Sequence, residues 1–210
     1  RQARRNARQQ MSPGTMDDMS ASTVVSGPSP QTALTPVMAY APVGPLAGQE
    51  FDVAKEISDS PGALLFVHDW VPNTFRLVMG FDKMVAEYAL LGLKSFTLVL
   101  AADRTKAESQ LAMRKSPPVM DRQLSIVGKY GFLRLEKPIM LSLDGAEGPG
   151  NYALNRKATL TFLVTKGGKI HKSVGFTDTG VHNLSYIRQL INEVLAPVPH
   201  DGDELREFAS

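Results

Sequence analysis

The 210-residue chain contains no cysteine. That excludes disulfides within the chain, Cys-ligated zinc, iron–sulfur clusters and thiol catalysis. It leaves the compartment open, because a cysteine-free protein tolerates oxidising and reducing surroundings equally. Charge imbalance is also missing. The formal net charge is +2, too small to point to a polyanion partner, so no nucleic-acid partner is expected. No run approaches the roughly 18 apolar residues of a membrane span. The longest apolar stretches, such as Phe96 to Ala102, have strand length. A signal-peptide core is not evident either. The GxSxG and HExxH patterns do not occur. Gly148-Pro149-Gly150 lacks the lysine and the strand-to-helix setting of a phosphate loop. No cofactor is expected.

What is present fits one domain with tails. Hydrophobic residues make up 43% and charged residues 21%, ordinary for a globular protein. A chain of this length can bury a core without disulfides or metals. Residues 1–35 are rich in Arg, Gln, Ser, Thr, Met, Gly and Pro and show neither helical nor strand periodicity. They read as a flexible arm. Arg1, Arg4, Arg5 and Arg8 sit there without interleaved aromatics, so the arm offers no stacking platform for single strands. Met11, Met16 and Met19 read as filler rather than as a copper site. Residues 36–196 read as the folded domain, and 197–210 as a loose acidic tail. The chain starts with Arg, and an exported or periplasmic protein whose targeting segment was removed before Arg1 fits that start.

Within the domain, Val37-Met38-Ala39-Tyr40 reads as an edge strand or a cover over the core. Phe51 to Ile57 has helical spacing. Pro61-Gly62 turns the chain into a buried strand, Ala63 to Val67. Phe75, Val78, Phe81, Met84 or Val85, and Tyr88 recur every three to four residues, which predicts a long helix. Asn73 or Thr74 is placed to cap its start, and Gly92 to end it. A second buried strand, Ser95 to Leu100, follows, so a parallel βαβ unit is expected. Helices are expected over Asp103 to Lys115 and from Pro118 to about Tyr130. A short strand spans Pro138 to Leu143. A hairpin joins Thr159–Val164 to Ile170–Phe176 through Lys166-Gly167-Gly168-Lys169. Leu184, Ile187, Leu190, Ile191 and Val194 mark a last helix.

Several segments, taken in order, resemble the redoxin branch of the thioredoxin-like superfamily. Gly48-Gln49-Glu50-Phe51 is similar to the family's entry before its first core strand. Trp70 sits where the family's tryptophan precedes its first cysteine. Asn151-Tyr152-Ala153-Leu154 resembles the Tyr-Gly-Val segment before the hairpin, and Lys166-Gly167-Gly168-Lys169-Ile170 the turn within it. The resemblance covers roughly residues 46–195. It implies an α/β fold: a thioredoxin-like three-layer α/β/α arrangement around a central mixed sheet. It also implies kinship with alkyl hydroperoxide reductases, thiol-specific antioxidants and membrane-tethered thiol reductases.

The resemblance places the former redox positions at Val71, Thr74 and Ala158. Valine has no ionisable group, and threonine needs a dedicated base to act as a nucleophile. In relatives a cis-proline stands just before the hairpin strand and helps present backbone groups to peptide substrates. Here the segment reads Lys157-Ala158-Thr159, and a cis bond without proline costs about 2.5–4 kcal/mol, so this peptide is expected to be trans.

His68-Asp69 ends the first buried strand, at the edge where open α/β sheets bind ligands. A metal or acid–base site there, completed by His171 or His182, is one reading. Adjacent strand residues point to opposite faces, so His68 and Asp69 do not easily share a ligand. The plainer reading has His68 half-buried with a backbone partner and Asp69 at the turn. Trp70 reads either as a partner anchor or as filler over the old site. Phe132 and Leu133 could extend an apolar surface. The chain thus reads as a redox-inactive module that binds a protein partner or serves a structural role. The candidate surface is Trp70, Val71, Pro72, Asn73, Thr74, Lys157 and Thr159. Two alternatives stay open: a metal-binding or non-thiol enzyme using His68 and Asp69, and a thiol oxidoreductase or peroxidase by descent only.

Overall fold

The computed structural model describes residues 23–41, 46–100, 135 and 139–195. The strands are β1 (Thr23–Val24), β2 (Met38–Tyr40), β3 (Glu50–Asp52), β4 (Gly62–Val67), β5 (Lys94–Leu100), β6 (Ile139–Ser142), β7 (Leu160–Lys166) and β8 (Lys169–Phe176). The helices are α1 (Val53–Ile57), α2 (Pro72–Ala89) and α3 (Asn183–Val194). The eight strands form one sheet in the order β1-β8-β7-β4-β5-β6-β2-β3. β4 pairs parallel with β5, and β5 with β6; every other pairing is antiparallel. The expected mixed sheet is therefore present.

β4 lies inside the sheet and all six of its residues are buried. An unbroken apolar run suits a strand covered on both faces. Its alternate residues feed two cores. Ala63, Leu65 and Val67 face α2 and α3, packed with Leu77, Phe81, Phe162 and Ile187. Leu64 and Phe66 face the other side, with Val37, α1, Tyr152 and Leu163. Helices thus cover both faces. The α2–α3 contact is close: a Cβ added at Gly80 would stand 2.4 Å from Leu184 Cδ1.

The β7–β8 turn follows its chemistry. Gly167 and Gly168 have φ of +57° and +69°, the left-handed pair that a two-residue hairpin turn requires. α2 ends earlier than expected, at Ala89. Gly92 (φ +82°) lies in the turn beyond it. Phe51 belongs to β3 rather than to a helix. α1 begins at Val53, where the Asp52 carboxylate accepts from the Ala54 N–H at 3.0 Å. Residues 38–40 form an internal strand between β6 and β3, not an edge. The helices expected over 103–115 and 118–130, together with Phe132 and Leu133, lie outside the described residues, as do residues 1–22 and 196–210.

The flexible arm expected through residue 35 does not hold for residues 23–35. Thr23 and Val24 pair with Phe176 and Gly175. Further along, the Gln31 N–H donates to the Ile170 carbonyl at 2.7 Å, the Ile170 N–H to Thr32 at 2.9 Å, and the Leu34 N–H to Gly168 at 2.9 Å. The Ser173 hydroxyl donates to the Pro28 carbonyl at 2.8 Å. Residues 23–34 are a strap along the outer edge of β8, touching both of its ends. An uncovered edge strand invites pairing with another chain, and the strap occupies that edge. Its order comes from partners more than 100 residues away, which local periodicity does not register.

Candidate functional site

The turn after β4 carries the candidate residues. The His68 and Asp69 N–H groups both donate to the Thr159 carbonyl, at 3.0 and 3.2 Å. This fixes the start of the turn against β7. Trp70 is half-buried, its ring 6.3 Å from that of Phe75, and it packs on the core beneath α2. Val71 is the residue preceding the helix, with extended backbone and no side-chain cap; Pro72 opens the first turn. The expected capping by Asn73 or Thr74 is therefore absent. Asn73 is exposed on the helix. Thr74 is fully buried and its hydroxyl lies 3.1 Å from that of Thr179, which is 2% exposed. The hydroxyl turns inward because Thr179, in the segment after β8, satisfies it there.

Thr74 thus faces another hydroxyl rather than a base, and this pair has no means of generating an alkoxide. Ala158 is buried and its peptide bond is trans; among the described residues no peptide bond is cis. The backbone around it is occupied internally. The Lys157 N–H donates to Asn155 Oδ1 at 3.0 Å, the Ala158 N–H to the Asn155 carbonyl at 2.9 Å, and the Thr159 N–H to Phe176 at 2.7 Å. The Thr159 hydroxyl donates to the Thr177 carbonyl at 3.0 Å. Lys157 and Thr159 are therefore brought to the same end of the sheet as Trp70–Thr74, but their backbone donors already have partners.

His68 belongs to the other face of the sheet. Following Leu64 and Phe66 in strand alternation, it meets Thr161 of β7, with Nε2 2.8 Å from Oγ1. The expected backbone partner for its ring is instead this hydroxyl. The network continues inward. Thr161 Oγ1 is 2.5 Å from Ser26 Oγ, and Ser26 accepts from the Asn155 N–H at 2.9 Å. Asn155 in turn donates from Nδ2 to the Val25 carbonyl at 3.0 Å. Burial holds the His68 ring well below its ordinary value of 6.5, down to about 4. An imidazole beside a hydroxyl has the outline of a base and a nucleophile. Thr161 and Ser26 are 0% and 1% exposed, so no substrate reaches either oxygen, and the arrangement is structural.

Among the described residues, the other two histidines do not join it. His171 lies at the other end of β8, with Nε2 3.1 Å from Glu193 Oε2. His182 is exposed in the turn before α3. Asp69 is exposed too. Among the described residues no three metal-ligating side chains converge. Sequence reading missed Ser26, Asn155, Thr161 and Thr179. Thr161 carried a signal: a lone hydroxyl inside the apolar run Leu160–Val164 must find a partner once buried.

No protein-family model matches the chain, and no curated protein sequence matches it. Solved structures do. The Chlorobium tepidum protein assigned as a thiol:disulfide interchange protein DsbE superposes with a TM-score of 0.51 at 13% identity, covering 79% of this chain and 97% of that one. The peroxidoxin BcpB of Mycobacterium tuberculosis gives 0.50 at 12%, covering 79% and 97%. A thioredoxin-like protein from Aeropyrum pernix gives 0.50 at 11%, covering 76% and 89%. The chain has a thioredoxin-like fold. At these identities the likeness concerns architecture, and the absence of cysteine separates the chain's chemistry from any thiol mechanism. Among the described residues no helix is long and apolar enough to cross a membrane.

Proposed function

We propose that the chain is a redox-inactive thioredoxin-like module that contacts a protein partner through the turn after β4. The observation that carries this is the state of that turn. A valine stands before the helix and a sealed Thr74–Thr179 pair sits behind it. Val71 is half-buried, and Pro72 and Asn73 are exposed beside it. The backbone of residues 157–159 is already hydrogen-bonded within the chain. Recognition at this end therefore rests on side chains rather than on strand-like pairing with an extended peptide.

The test combines Val71→Asp with purification from the source cell. Proteins that co-elute with the wild type are expected to be lost from the variant while its unfolding midpoint stays unchanged. Retention of every partner by a folded Val71→Asp protein defeats the surface assignment. Peroxide consumption and disulfide reduction are expected at buffer level, and thiol-dependent turnover above buffer defeats the redox-inactive reading. The metal or acid–base reading at His68 and Asp69 has less support: the His68 ring is engaged with Thr161, and Asp69 is exposed.

A further inference from the structure

The strap 23–34 is held near its start by the hydroxyl chain that begins at His68. Its fit there is tight. A Cβ at Gly175 would stand 2.7 Å from Ser26 Cβ and 2.9 Å from Val24 Cγ2, and one at Gly27 would stand 2.8 Å from Ser173 Cβ. There is no slack at this contact for a displaced side chain. The hydrogens in the chain can be counted. Ser26 Oγ accepts the Asn155 N–H. If Ser26 donates to Thr161, and Thr161 donates to a bare His68 Nε2, every hydroxyl hydrogen has an acceptor. This ordering puts the proton of the neutral ring on Nδ1.

A second proton breaks the order. With both ring nitrogens protonated, Nε2 must donate to Thr161. Thr161 then either donates to Ser26 or accepts from both Nε2 and Ser26, and in either order one hydroxyl hydrogen of the pair loses its acceptor in the chain. Ser26 and Thr161 are 1% and 0% exposed, and a buried polar group left without a partner is destabilising.

We propose that His68 is a proton-operated latch, in which protonation of its ring leaves the His68–Thr161–Ser26 chain one acceptor short and releases the Ser26 end of the strap from β8. The charges around the ring do not oppose this. The strap carries no ionisable side chain, and β7 none before Lys166. Among the described residues, those on adjoining segments are Asp69 on the same turn, Arg156 and Lys157 before β7, and Asp178 after β8. Arg156 is paired with Glu147. Burial accounts for the depressed His68 titration, and among the described residues no carboxylate is hydrogen-bonded to the ring.

Amide hydrogen exchange tests the latch on the full chain. The reporters at the latch are the amides of Asn155 and Gly27, which donate to Ser26 Oγ and to the Ala153 carbonyl. The controls are Gln31 and Leu34, at the far end of the strap. With intrinsic rates removed, protection at Asn155 and Gly27 is expected to fall by up to about 80-fold between pH 6.5 and pH 4, the ratio set by the two His68 values, each half-titrated at one end of that range. The controls are expected to change by less than roughly 3-fold over the same range. The fall should track the His68 ring titration followed by NMR and vanish in His68→Gln. Parallel loss at reporters and controls overturns the proposal, and this needs no variant. So does a neutral ring found protonated on Nε2, or a pH step that survives in folded His68→Gln.

Discussion

Two polar arrangements sit at the same end of the sheet, on opposite faces, and they behave differently. On the α2 face, Thr74 and Thr179 satisfy each other as a neutral hydroxyl pair. Nothing in that pair titrates between pH 2 and pH 12. On the other face, the Thr161–Ser26 hydroxyl pair is joined to an imidazole. The α2 face, to which the resemblance assigns the former redox positions, is thus the one without a titratable group in its polar pair. The ionisable group is on the face that holds the strap. Position at the C-terminal end of β4 does not by itself confer chemistry; the partners on each face decide it.

The largest expected effect breaks the comparison on the His68 side. The ring's folded value lies below its ordinary one, at about 4 against 6.5. The unfolded chain therefore binds more protons between these values. Stability is full above pH 6.5 and falls as the pH drops towards 4, by ~3 kcal/mol for a shift of this size. If the latch opens first, part of that loss appears as local release of the strap. Urea titrations at pH 7 and pH 4 measure the total. His68→Gln should lose most of this pH-dependent difference. An equal acid penalty in both proteins would assign the effect to carboxylates elsewhere.

A somewhat smaller effect is expected on the Thr74 side, with no pH signature. Thr74→Val leaves Thr179 buried without its partner, at a cost of about 1–3 kcal/mol. Replacing both by valine removes the orphan, so the double variant should recover much of that loss. The pair is close enough for such coupling to be measurable. Additive losses from the two single changes, at any pH, would mean that the hydroxyls do not act as a unit.

The contrast also explains what could be read from the chain. β4, α2, β5 and the β7–β8 hairpin were legible, because each carries its own periodicity or turn glycines. β1 and β3 were not. Two or three residues have no period, and they become strands through Phe176, Gly175 and β2. The capping expectation failed for the same reason. Thr74 has the right residue type at a helix start, but Thr179, 105 positions away, takes its hydroxyl. The Trp70–Thr74 turn was placed correctly at the junction of β4 and α2. Its companion network was invisible, since Ser26 and Thr161 meet across 135 positions.

The smallest effect concerns His171, which sequence reading offered as a companion of His68. Strand register separates them. Gly62 pairs with Thr165, and Thr165 with Ile170, at one end; Val67 pairs with Leu160, and Leu160 with Phe176, at the other. Ile170 to Phe176 is six steps, and at ~3.3 Å each the two ends lie about 20 Å apart. His171 sits at the first end, beside Glu193 of α3, both side chains about one-third exposed. A solvent-facing pair of this kind contributes about 0–1 kcal/mol. His171→Ala should therefore cost less than ~1 kcal/mol in a urea titration. It should also leave the His68 NMR titration in place, because screening at physiological salt acts over about 8 Å. A shifted His68 midpoint in His171→Ala would mean that the two ends communicate, and the independence of the two sites would have to be given up.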